Sequence, residues 1–356
     1  MINMPKNNNL KLAKQAKNDE FYTQSSDIEA ELKHYREHFK DQIVYCNCDD
    51  PIESNFWHYF YRSFGFLGLK KLISTHYEHN GKSSYALIYE GGYDNAPKFN
   101  EGVKWVPLQS NGDFRSPECV KYLKESDIVV TNEPWSLTRE YIKQLFQYDK
   151  KFLIIVNKNA ITYKEIFPLL MNRQMWIGET KPQIFNTPSG KTKKVAGLAR
   201  WFTNLPLNTT TDQVVIWKSF NQDDYPAYDN YAAFEVSKVA NLPKDTVIKA
   251  TVNSNNLQNW IDNYDKDLKV LSDDGTYAKV KIQRPIWGVP ITFMDKYNPS
   301  SSIKQHNLGK DFTIKGCTES EGIGFSNGIW DQTSKVKQPL INGKRKYKRL
   351  FIRHTK

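Results

Sequence analysis

The stretch that decides the fold is residues 126–141, "SDIVVTNEPWSLTREY". An apolar run from Ile128 to Val130 is followed at once by polar residues, a proline and a tryptophan. A short apolar run bounded by turn residues is typical of a buried strand. The stretch therefore predicts a strand, then a polar loop at its carboxyl end, then a helix over residues 137–148.

The same alternation extends on both sides of this stretch. Strands are predicted over residues 42–46, 71–75, 85–90, 127–131 and 152–156. Helices are predicted over residues 53–65, from Ser116-Pro117 onward, and over 137–148 and 162–171. A β-α rhythm of this kind predicts an α/β fold, with a mostly parallel sheet covered by helices on both faces.

The rhythm fails after about Gly178, and the rest of the chain differs in character. It is rich in Asn, Asp, Pro, Trp and Tyr, with short β-like runs such as "QVVIWKSF", "GTYAKVKIQ", "GVPITFM" and "KRLFIRH". We interpret these runs as extra strands of the first sheet and then a second, irregular β-rich domain. The predicted domains are residues 1–200 and 201–356.

Composition narrows the function classes. The chain of 356 residues carries 50 Lys+Arg against 39 Asp+Glu, a net charge of +11. Residues 332–356 hold Lys and Arg but no Asp or Glu. Such a surplus favours a polyanionic partner, although a solvated basic surface explains it equally well.

The polar, basic N-terminus and the lack of long apolar runs predict a cytoplasmic protein without a membrane segment. The four cysteines lack zinc-site spacing, so no metal is expected.

Polar residues follow several of the predicted strands. Asp49 and Asp50 follow the first strand, His76 the second and Asn132 a later one. Ligands of open α/β sheets bind outside the carboxyl ends of the strands. These residues are therefore candidates for a binding site, although Asp49-Asp50-Pro51 is also a plausible helix cap.

The loop Asn132-Glu133-Pro134-Trp135 has the groups needed to act on the exocyclic amine of a nucleobase. The nitrogen lone pair of that amine is delocalised into the ring, so acceptors for its N–H bonds must stabilise the developing charge. The Asn132 side-chain oxygen and the Glu133 carbonyl are such acceptors, Pro134 restrains the loop, and Trp135 can stack on an extruded base. Taken alone, the four residues are explained more readily by an ordinary turn.

Enzymes that use S-adenosylmethionine hold it with an acidic residue after the first strand and a polar contact after the third. Asp49 and Asp50 occupy the first of these places, and Gly112-Asp113-Phe114 occupies the second. Asp113 precedes Asn132 by one helix and one strand, as that topology requires. Upstream, the segment containing Phe21 and Thr23 is a candidate for folding over the cofactor, or an ordinary arm.

These motifs resemble the EcoRI-type adenine-specific DNA methyltransferases. The resemblance runs through most of the chain and includes "KNDEFYTQ", "CNCDDPIESNFWHYF", "GDFRSPE", "DIVVTNEPWSLTREY", "FLIIVNKNAITYKEIFPL" and "PLINGKRKYKRLFIR". It implies a Rossmann-like, S-adenosylmethionine-binding catalytic domain, a target-recognition domain, and methylation of N6 of a flipped adenine in duplex DNA. A cognate restriction endonuclease that acts separately is a candidate partner, and the resemblance fits an enzyme without such a partner as well. The residues it assigns are Asn132, Glu133, Pro134 and Trp135 to catalysis, and Phe21, Thr23, Asp49, Asp50, Asp113 and Phe114 to cofactor binding.

Glu133 departs from the family pattern, which is Asn-Pro-Pro-Phe-Ser where this chain has Asn-Glu-Pro-Trp-Ser. The Glu133 side chain could point away from the substrate, for example paired with Arg139, or it could tune substrate choice. Alternatively, it weakens catalysis and leaves a sequence-specific DNA-binding protein. A methyltransferase acting on RNA is a further alternative.

Basic residues interleaved with aromatic ones predict where duplex DNA is contacted. Residues of this kind are enriched between about 180 and 300. The candidates for DNA contact are Arg139, Lys191, Lys193, Arg200 and Lys218. A monomer is expected, because a monomer can modify each strand of a palindromic site in turn.

Overall fold

The computed structural model describes residues 22–48, 50–78, 84–92, 100–186, 192–194, 197–206, 218–244, 246–296, 312–317, 324–326, 329–331 and 338–354. The chain divides into two compact units. The first comprises residues 1–160 and 175–207, and the second comprises residues 161–174 and 208–356.

In the first unit, helices and strands alternate along most of the chain. The helices are α1 (Ser25–Leu32), α2 (Asn55–Arg62), α3 (Phe64–Leu67), α4 (Pro117–Glu125) and α5 (Thr138–Gln147). The strands are β1 (Tyr22–Thr23), β2 (Ile43–Cys46), β3 (Lys71–Thr75), β4 (Tyr85–Tyr89), β5 (Lys104–Pro107), β6 (Ile128–Asn132), β7 (Lys151–Asn157), β8 (Trp176–Ile177), β9 (Ile184–Asn186), β10 (Thr192–Lys194) and β11 (Ala199–Thr203).

An eight-stranded sheet organises this unit in the order β5-β4-β3-β2-β6-β7-β11-β8. Strands β3, β2, β6 and β7 are parallel neighbours. The chain builds outward from β2 to β5 and then returns to place β6 on the other side of β2. The strand order therefore changes direction between β2 and β6, which is where open α/β sheets bind ligands.

The sheet is mixed, and the prediction of a mostly parallel sheet was wrong for its flanks. Strand β4 is antiparallel to β3 and to β5, and β11 is antiparallel to β7 and to β8. A parallel connection needs a crossover of about a dozen residues or more. The segment between Thr75 and Tyr85 is shorter than that, so β4 returns antiparallel.

The helices beside β6 follow from local sequence. At the start of α4, Pro117 occupies the first turn and the Ser116 hydroxyl accepts a hydrogen bond from the Cys119 amide. In α5 the buried side chains are Thr138, Tyr141, Ile142 and Leu145, at spacings of three and four that place them on one face. Strand β6 is buried along its whole length. It is therefore an internal strand with a packed helix on either side of it in sequence.

In the second unit, strands predominate. Its elements are α6 (Phe167–Met171), α7 (Leu257–Tyr264), β12 (Phe234–Glu235), β13 (Val247–Asn253), β14 (Leu268–Asp273), β15 (Tyr277–Gln283), β16 (Ile286–Pro290), β17 (Phe312–Cys317), β18 (Gly324–Ser326), β19 (Ile329–Asp331), β20 (Leu340–Ile341), β21 (Lys344–Arg345) and β22 (Arg349–His354). Helix α6 is shorter than the predicted 162–171, because Pro168 is tolerated only in a first turn.

Two sheets dominate the second unit. One has the order β12-β16-β22-β17 and the other β13-β15-β14. Most of the run "QVVIWKSF" lies outside the described residues, whereas the other three β-like runs contribute β15, β16 and β22. Among the described residues, no helix is long and apolar enough to cross a membrane.

Part of the basic C-terminal run is structural. The buried guanidinium of Arg349 forms an ion pair with Glu235, with 2.5 Å between Nη2 and Oε1. The Arg353 guanidinium lies 5.0 Å from the centre of the Tyr264 ring and donates to the Asn263 carbonyl. These two arginines hold β22 in place, so they are not part of a positive surface that faces a polyanion.

Candidate active site

The predicted catalytic loop begins at the carboxyl end of a central strand. Asn132 is the last residue of β6, pairs with Ile155 of β7 and is 5% exposed. The Leu137 amide donates to the Pro134 carbonyl at 2.7 Å, which closes the loop into a turn before α5. Asn132 therefore lies between a paired strand and a hydrogen-bonded turn, and these two features fix the backbone before and after it.

Glu133 is buried, with 2% of its surface exposed. The hydroxyl of Thr138, the first residue of α5, donates to its carboxylate at 2.5 Å. The same hydroxyl lies 3.0 Å from the Trp135 carbonyl oxygen. A negative charge near a helix N-terminus is favourable. The glutamate side chain therefore connects the loop to the first turn of α5 and is not an exposed anion.

Trp135 connects the loop to the N-terminal segment. Its half-buried ring meets the Phe185 ring edge-to-face, with 6.1 Å between centroids. Phe185 pairs with Thr23 across the β1–β9 ladder. The structure thus brings Thr23 near Trp135 through one shared neighbour.

A second set of hydrogen bonds joins the end of β2 to β6 and α5. The Thr131 hydroxyl donates to the Asn47 carbonyl, and the Tyr141 hydroxyl donates to the Asn47 side-chain oxygen. Burial raises the pKa of Tyr141, so its hydroxyl stays protonated as a donor. Sequence reasoning missed these three residues. The only available signal was that Asn47 is the first polar residue after β2.

Asp50 lies beside the carboxyl ends of β2 and β3. It accepts from the Ile52 amide at 2.9 Å and from the Tyr85 hydroxyl at 3.3 Å, and His76 Nε2 is 3.7 Å from its Oδ2. The His76 and Tyr85 rings stack with 4.9 Å between centroids. Burial and the Asp50 carboxylate raise the pKa of Tyr85. Asp50 therefore combines a turn-capping bond with side-chain contacts at the sheet edge.

The loop after β5 packs against the end of β3. Gly112 has φ +80°, and a Cβ there would lie 1.8 Å from the His76 carbonyl oxygen. The Glu78 amide donates to the Asn111 carbonyl at 2.8 Å. Only glycine fits this close approach, so residues 111–114 are held at the same edge as Asp50 and Asn132.

Asp113 in that loop is bound to a neighbouring arginine. Its carboxylate accepts from Arg115 Nε at 2.9 Å and from Nη2 at 2.7 Å, and Arg115 also reaches Glu140 at 2.8 Å. The hydrogen bonds from Arg115 hold the pKa of Asp113 below its usual value. Phe114 is buried, with its ring edge-to-face against Tyr141 at 5.0 Å. The loop is therefore anchored to α5 by both residues.

Buried polar atoms without a hydrogen-bond partner indicate whether the predicted cofactor residues fit a ligand. Thr23 is 1% exposed, and its hydroxyl has no hydrogen-bond partner among the described residues. A buried hydroxyl without a partner is unfavourable, which fits a ligand that supplies one. Phe21 and Asp49 lie outside the described residues. The described residues include no group of three His, Cys, Asp or Glu side chains that could hold a metal.

The predicted DNA contacts are scattered. Arg139 is half-buried on α5, and Arg200 is 3% exposed in β11, where it donates to the Ala199 carbonyl at 2.7 Å. Lys218 forms an ion pair with Asp224 at 3.1 Å. Lys193 is in β10, of which only the backbone is described, and Lys191 lies outside the described residues. Arg200 is therefore placed as a structural arginine, because its guanidinium is buried against backbone carbonyls.

Comparison with known proteins identifies the family. A family model described as adenine-specific methyltransferase EcoRI matches residues 9–264. The type II methyltransferase M.EcoRI of Escherichia coli is 35% identical over 371 residues, covering 97% of this chain and 95% of its own length. M.MpnI of Mycoplasma pneumoniae is 37% identical over 254 residues, covering 65% of this chain and 76% of its own length.

A third relative, the type II methyltransferase M.MgeORF184P of Mycoplasma genitalium, is 30% identical over 366 residues, covering 96% of this chain and 97% of its own length. No solved structure matches the chain. The family resemblance read from the motifs is confirmed by matches that run through nearly the whole chain. The chain belongs to the EcoRI family of adenine-specific methyltransferases.

Proposed function

We propose that this chain is a site-specific DNA methyltransferase that transfers a methyl group from S-adenosylmethionine to N6 of adenine in duplex DNA. The observation that carries the proposal is the position of Asn132, a buried amide at the carboxyl end of the central strand β6. The family description and the names of the relatives, all type II methyltransferases, support the same reaction.

Each residue of the loop has its own proposed role at N6 of the adenine. The Asn132 side-chain oxygen and the Glu133 carbonyl accept hydrogen bonds from the two N–H groups of N6. They thereby stabilise the positive charge that develops on that nitrogen. Pro134 restrains the backbone between them, and Trp135 offers a ring on which the base can stack. Since a stacked, paired adenine cannot reach a recessed loop, the target base is extruded from the duplex.

S-adenosylmethionine supplies an electrophilic methyl group when it is bound. The described residues proposed to hold it are Thr23, Asp50, Asp113 and Phe114, and Phe21 and Asp49 complete the set from outside the described residues. Thr23 offers a buried hydroxyl, and the pairing of Asp113 with Arg115 keeps that carboxylate ionised. His76 and Tyr85 orient Asp50 from the neighbouring strands.

The burial of Glu133 favours a working enzyme over a weakened one. An exposed carboxylate in this loop would repel the phosphates of DNA, but this one is 2% exposed and accepts from Thr138. The bond to Thr138 restrains the loop at position 133, where the family pattern has the first of its two prolines. We infer that Glu133 is compatible with turnover through its backbone carbonyl.

The relatives are named type II methyltransferases, which supports a role in restriction-modification. We propose that the chain protects a short target from a separate restriction endonuclease that cuts the unmethylated site. We propose a monomeric enzyme that modifies the two strands of its site in separate events, with target reading carried by the second unit.

The test is product identification. The purified chain is incubated with methyl-labelled S-adenosylmethionine and either mixed-sequence duplex DNA or RNA of the same sequence, and the nucleosides are separated. The proposal predicts label in N6-methyladenine from duplex DNA. Label only in RNA, or no label from a folded chain that still binds DNA, would overturn it.

A further inference from the structure

In the sheet formed by β13, β15 and β14, the strands β13 and β15 have one buried face and one exposed face, and the edge strand β14 is exposed along nearly its whole length. Burial alternates residue by residue along β13 and β15. The buried face carries apolar side chains: Ile248, Ala250, Val252, Ala278, Val280 and Ile282. The exposed face is unusual because its charged residues are all lysines.

Four lysines occupy this exposed face, and we call them the lysine face: Lys249, Lys269, Lys279 and Lys281. Lys281 on the central strand β15 pairs directly with Lys249 on β13 and with Lys269 on β14. Lys279, two residues before it on the same face, pairs with Thr251 and Ser272. Strands lie about 4.8 Å apart, so the row of three lysines spans about 10 Å.

Folding alone does not account for this arrangement. Like charges directly opposite each other across a ladder are destabilising. Edge-strand lysines can prevent sheets from pairing with other chains, which would explain Lys249 and Lys269. That reason does not apply to Lys279 and Lys281, because β15 is the central strand.

No acidic side chain on the described part of the chain neutralises the lysine face through an ion pair. The nearest candidates along the chain are in the β14–β15 turn. There Asp273 accepts from the Ser254 hydroxyl and the Gly275 amide, and Asp274 accepts from the Thr276 and Tyr277 amides. These bonds hold both carboxylates at the turn. Asp274 interacts electrostatically with Lys279 but forms no ion pair with it, so the four lysines keep a net positive charge.

We propose that the lysine face binds the sugar-phosphate backbone of duplex DNA, and this inference rests on the proposed function. A row of ammonium groups about 10 Å long suits several phosphates of a polyanion. Lysine is a flexible point charge that neutralises phosphates without reading bases. Tyr277, 54% exposed at the end of the face, adds a hydroxyl that can also reach a phosphate.

The experiment compares duplex DNA binding by the full chain and by Lys279→Gln/Lys281→Gln, over a range of salt concentrations. Each phosphate contact that is lost lowers the slope of log affinity against log salt by about 0.9. For the double variant, the plot of log affinity against log salt should therefore be less steep by about 2. Its affinity should fall equally for target and random duplexes. Lys121→Gln/Lys143→Gln, two exposed helix lysines of the first unit, is the matched control and should keep the slope.

Thermal unfolding checks the fold of both variants. The variant of the lysine face should be at least as stable as the wild type, because the like-charge pairs of Lys281 with Lys249 and Lys269 are removed. Unchanged affinity and slope in that variant would overturn the inference, as would a wild-type chain that does not bind duplex DNA. If the wild type binds DNA with a steeper salt dependence than the double variant but does not methylate it, the proposed reaction is refuted. The inference that the lysine face binds DNA would still hold.

Discussion

The Thr138 hydroxyl donates to the buried Glu133 carboxylate at 2.5 Å and thereby ties the loop after β6 to the first turn of α5. Glu133 and Trp135 are the two loop positions at which this chain differs from the pattern expected for its family. The structure makes it an internal acceptor, and the hydroxyl that it uses also lies 3.0 Å from the Trp135 carbonyl oxygen. The two ends of the loop are therefore restrained by one side chain.

Removing that hydroxyl should loosen the loop. In Thr138→Val, the buried carboxylate loses a donor, which should lower the free energy of unfolding by about 1–3 kcal/mol. The misplaced loop should slow methyl transfer by about tenfold or more. Urea unfolding and single-turnover kinetics measure the two effects. Ser136→Ala, at an exposed position of the same loop, is the control and should change neither quantity. A Thr138→Val enzyme with the wild-type rate would contradict this role.

Placing proline at position 133 separates an adapted loop from a degenerate one. Because the proposed role of residue 133 in catalysis belongs to its backbone carbonyl, Glu133→Pro should change the single-turnover rate by less than about tenfold. Thr138→Val should then have a smaller effect in the proline background than alone, since the buried carboxylate is gone. A double-mutant cycle measures this coupling. A large gain in rate on proline substitution would instead support a weakened natural site.

Thr23→Val tests the cofactor position. The Thr23 hydroxyl is buried without a described partner, so an apolar replacement of the same shape should leave the unliganded protein as stable as before or more stable. The Kd for S-adenosylmethionine should rise about tenfold, equivalent to about 1.4 kcal/mol.

Calorimetric titration and thermal unfolding are the measurements for Thr23→Val. The matched control is Thr203→Val, because the buried Thr203 hydroxyl donates to the Phe152 carbonyl at 2.7 Å. That control should lose stability and keep its affinity for the cofactor. Unchanged affinity in Thr23→Val would remove Thr23 from the site.

The pairing of Asp113 with Arg115 should appear in the pH dependence of stability. Arg115 lowers the pKa of Asp113 in the folded state, so the folded chain binds this proton less readily than the unfolded chain. The stabilisation is thus fully present above the unfolded pKa of about 3.9 and is lost as the pH falls through the lower folded value. The difference in unfolding free energy between wild type and Asp113→Asn should therefore be larger at pH 7 than at pH 3. Urea titrations at both values check this, and an equal difference at the two would refute it.

Sequence predicted most of the architecture around the site, because local signals and the fold agree there. The apolar run before Asn132 became β6, and the Ser116-Pro117 start became the N-terminus of α4. The antiparallel return of β4 was missed, since strand direction depends on the length of the connection and on pairing partners distant in sequence.

The site residues were harder to predict than the strands that carry them. The sequence predicted Asp113 as a cofactor contact but did not predict that Arg115, two residues later, binds its carboxylate. Arg200 was predicted as a candidate DNA contact, and the sequence did not predict that it lies buried within β11, where its guanidinium donates to neighbouring carbonyls. In both cases a charged residue found a local partner, and sequence composition does not specify which one.

The most direct test of the central claim is the single-turnover rate of Asn132→Ala, with affinities for S-adenosylmethionine and duplex DNA measured on the same preparation. Loss of one acceptor for the developing charge should lower the rate by about 100-fold or more. Both affinities should stay within about threefold of wild type, since the change removes an interaction made mainly in the transition state. A rate within about tenfold of wild type, with binding intact, would contradict the assignment of Asn132 to catalysis.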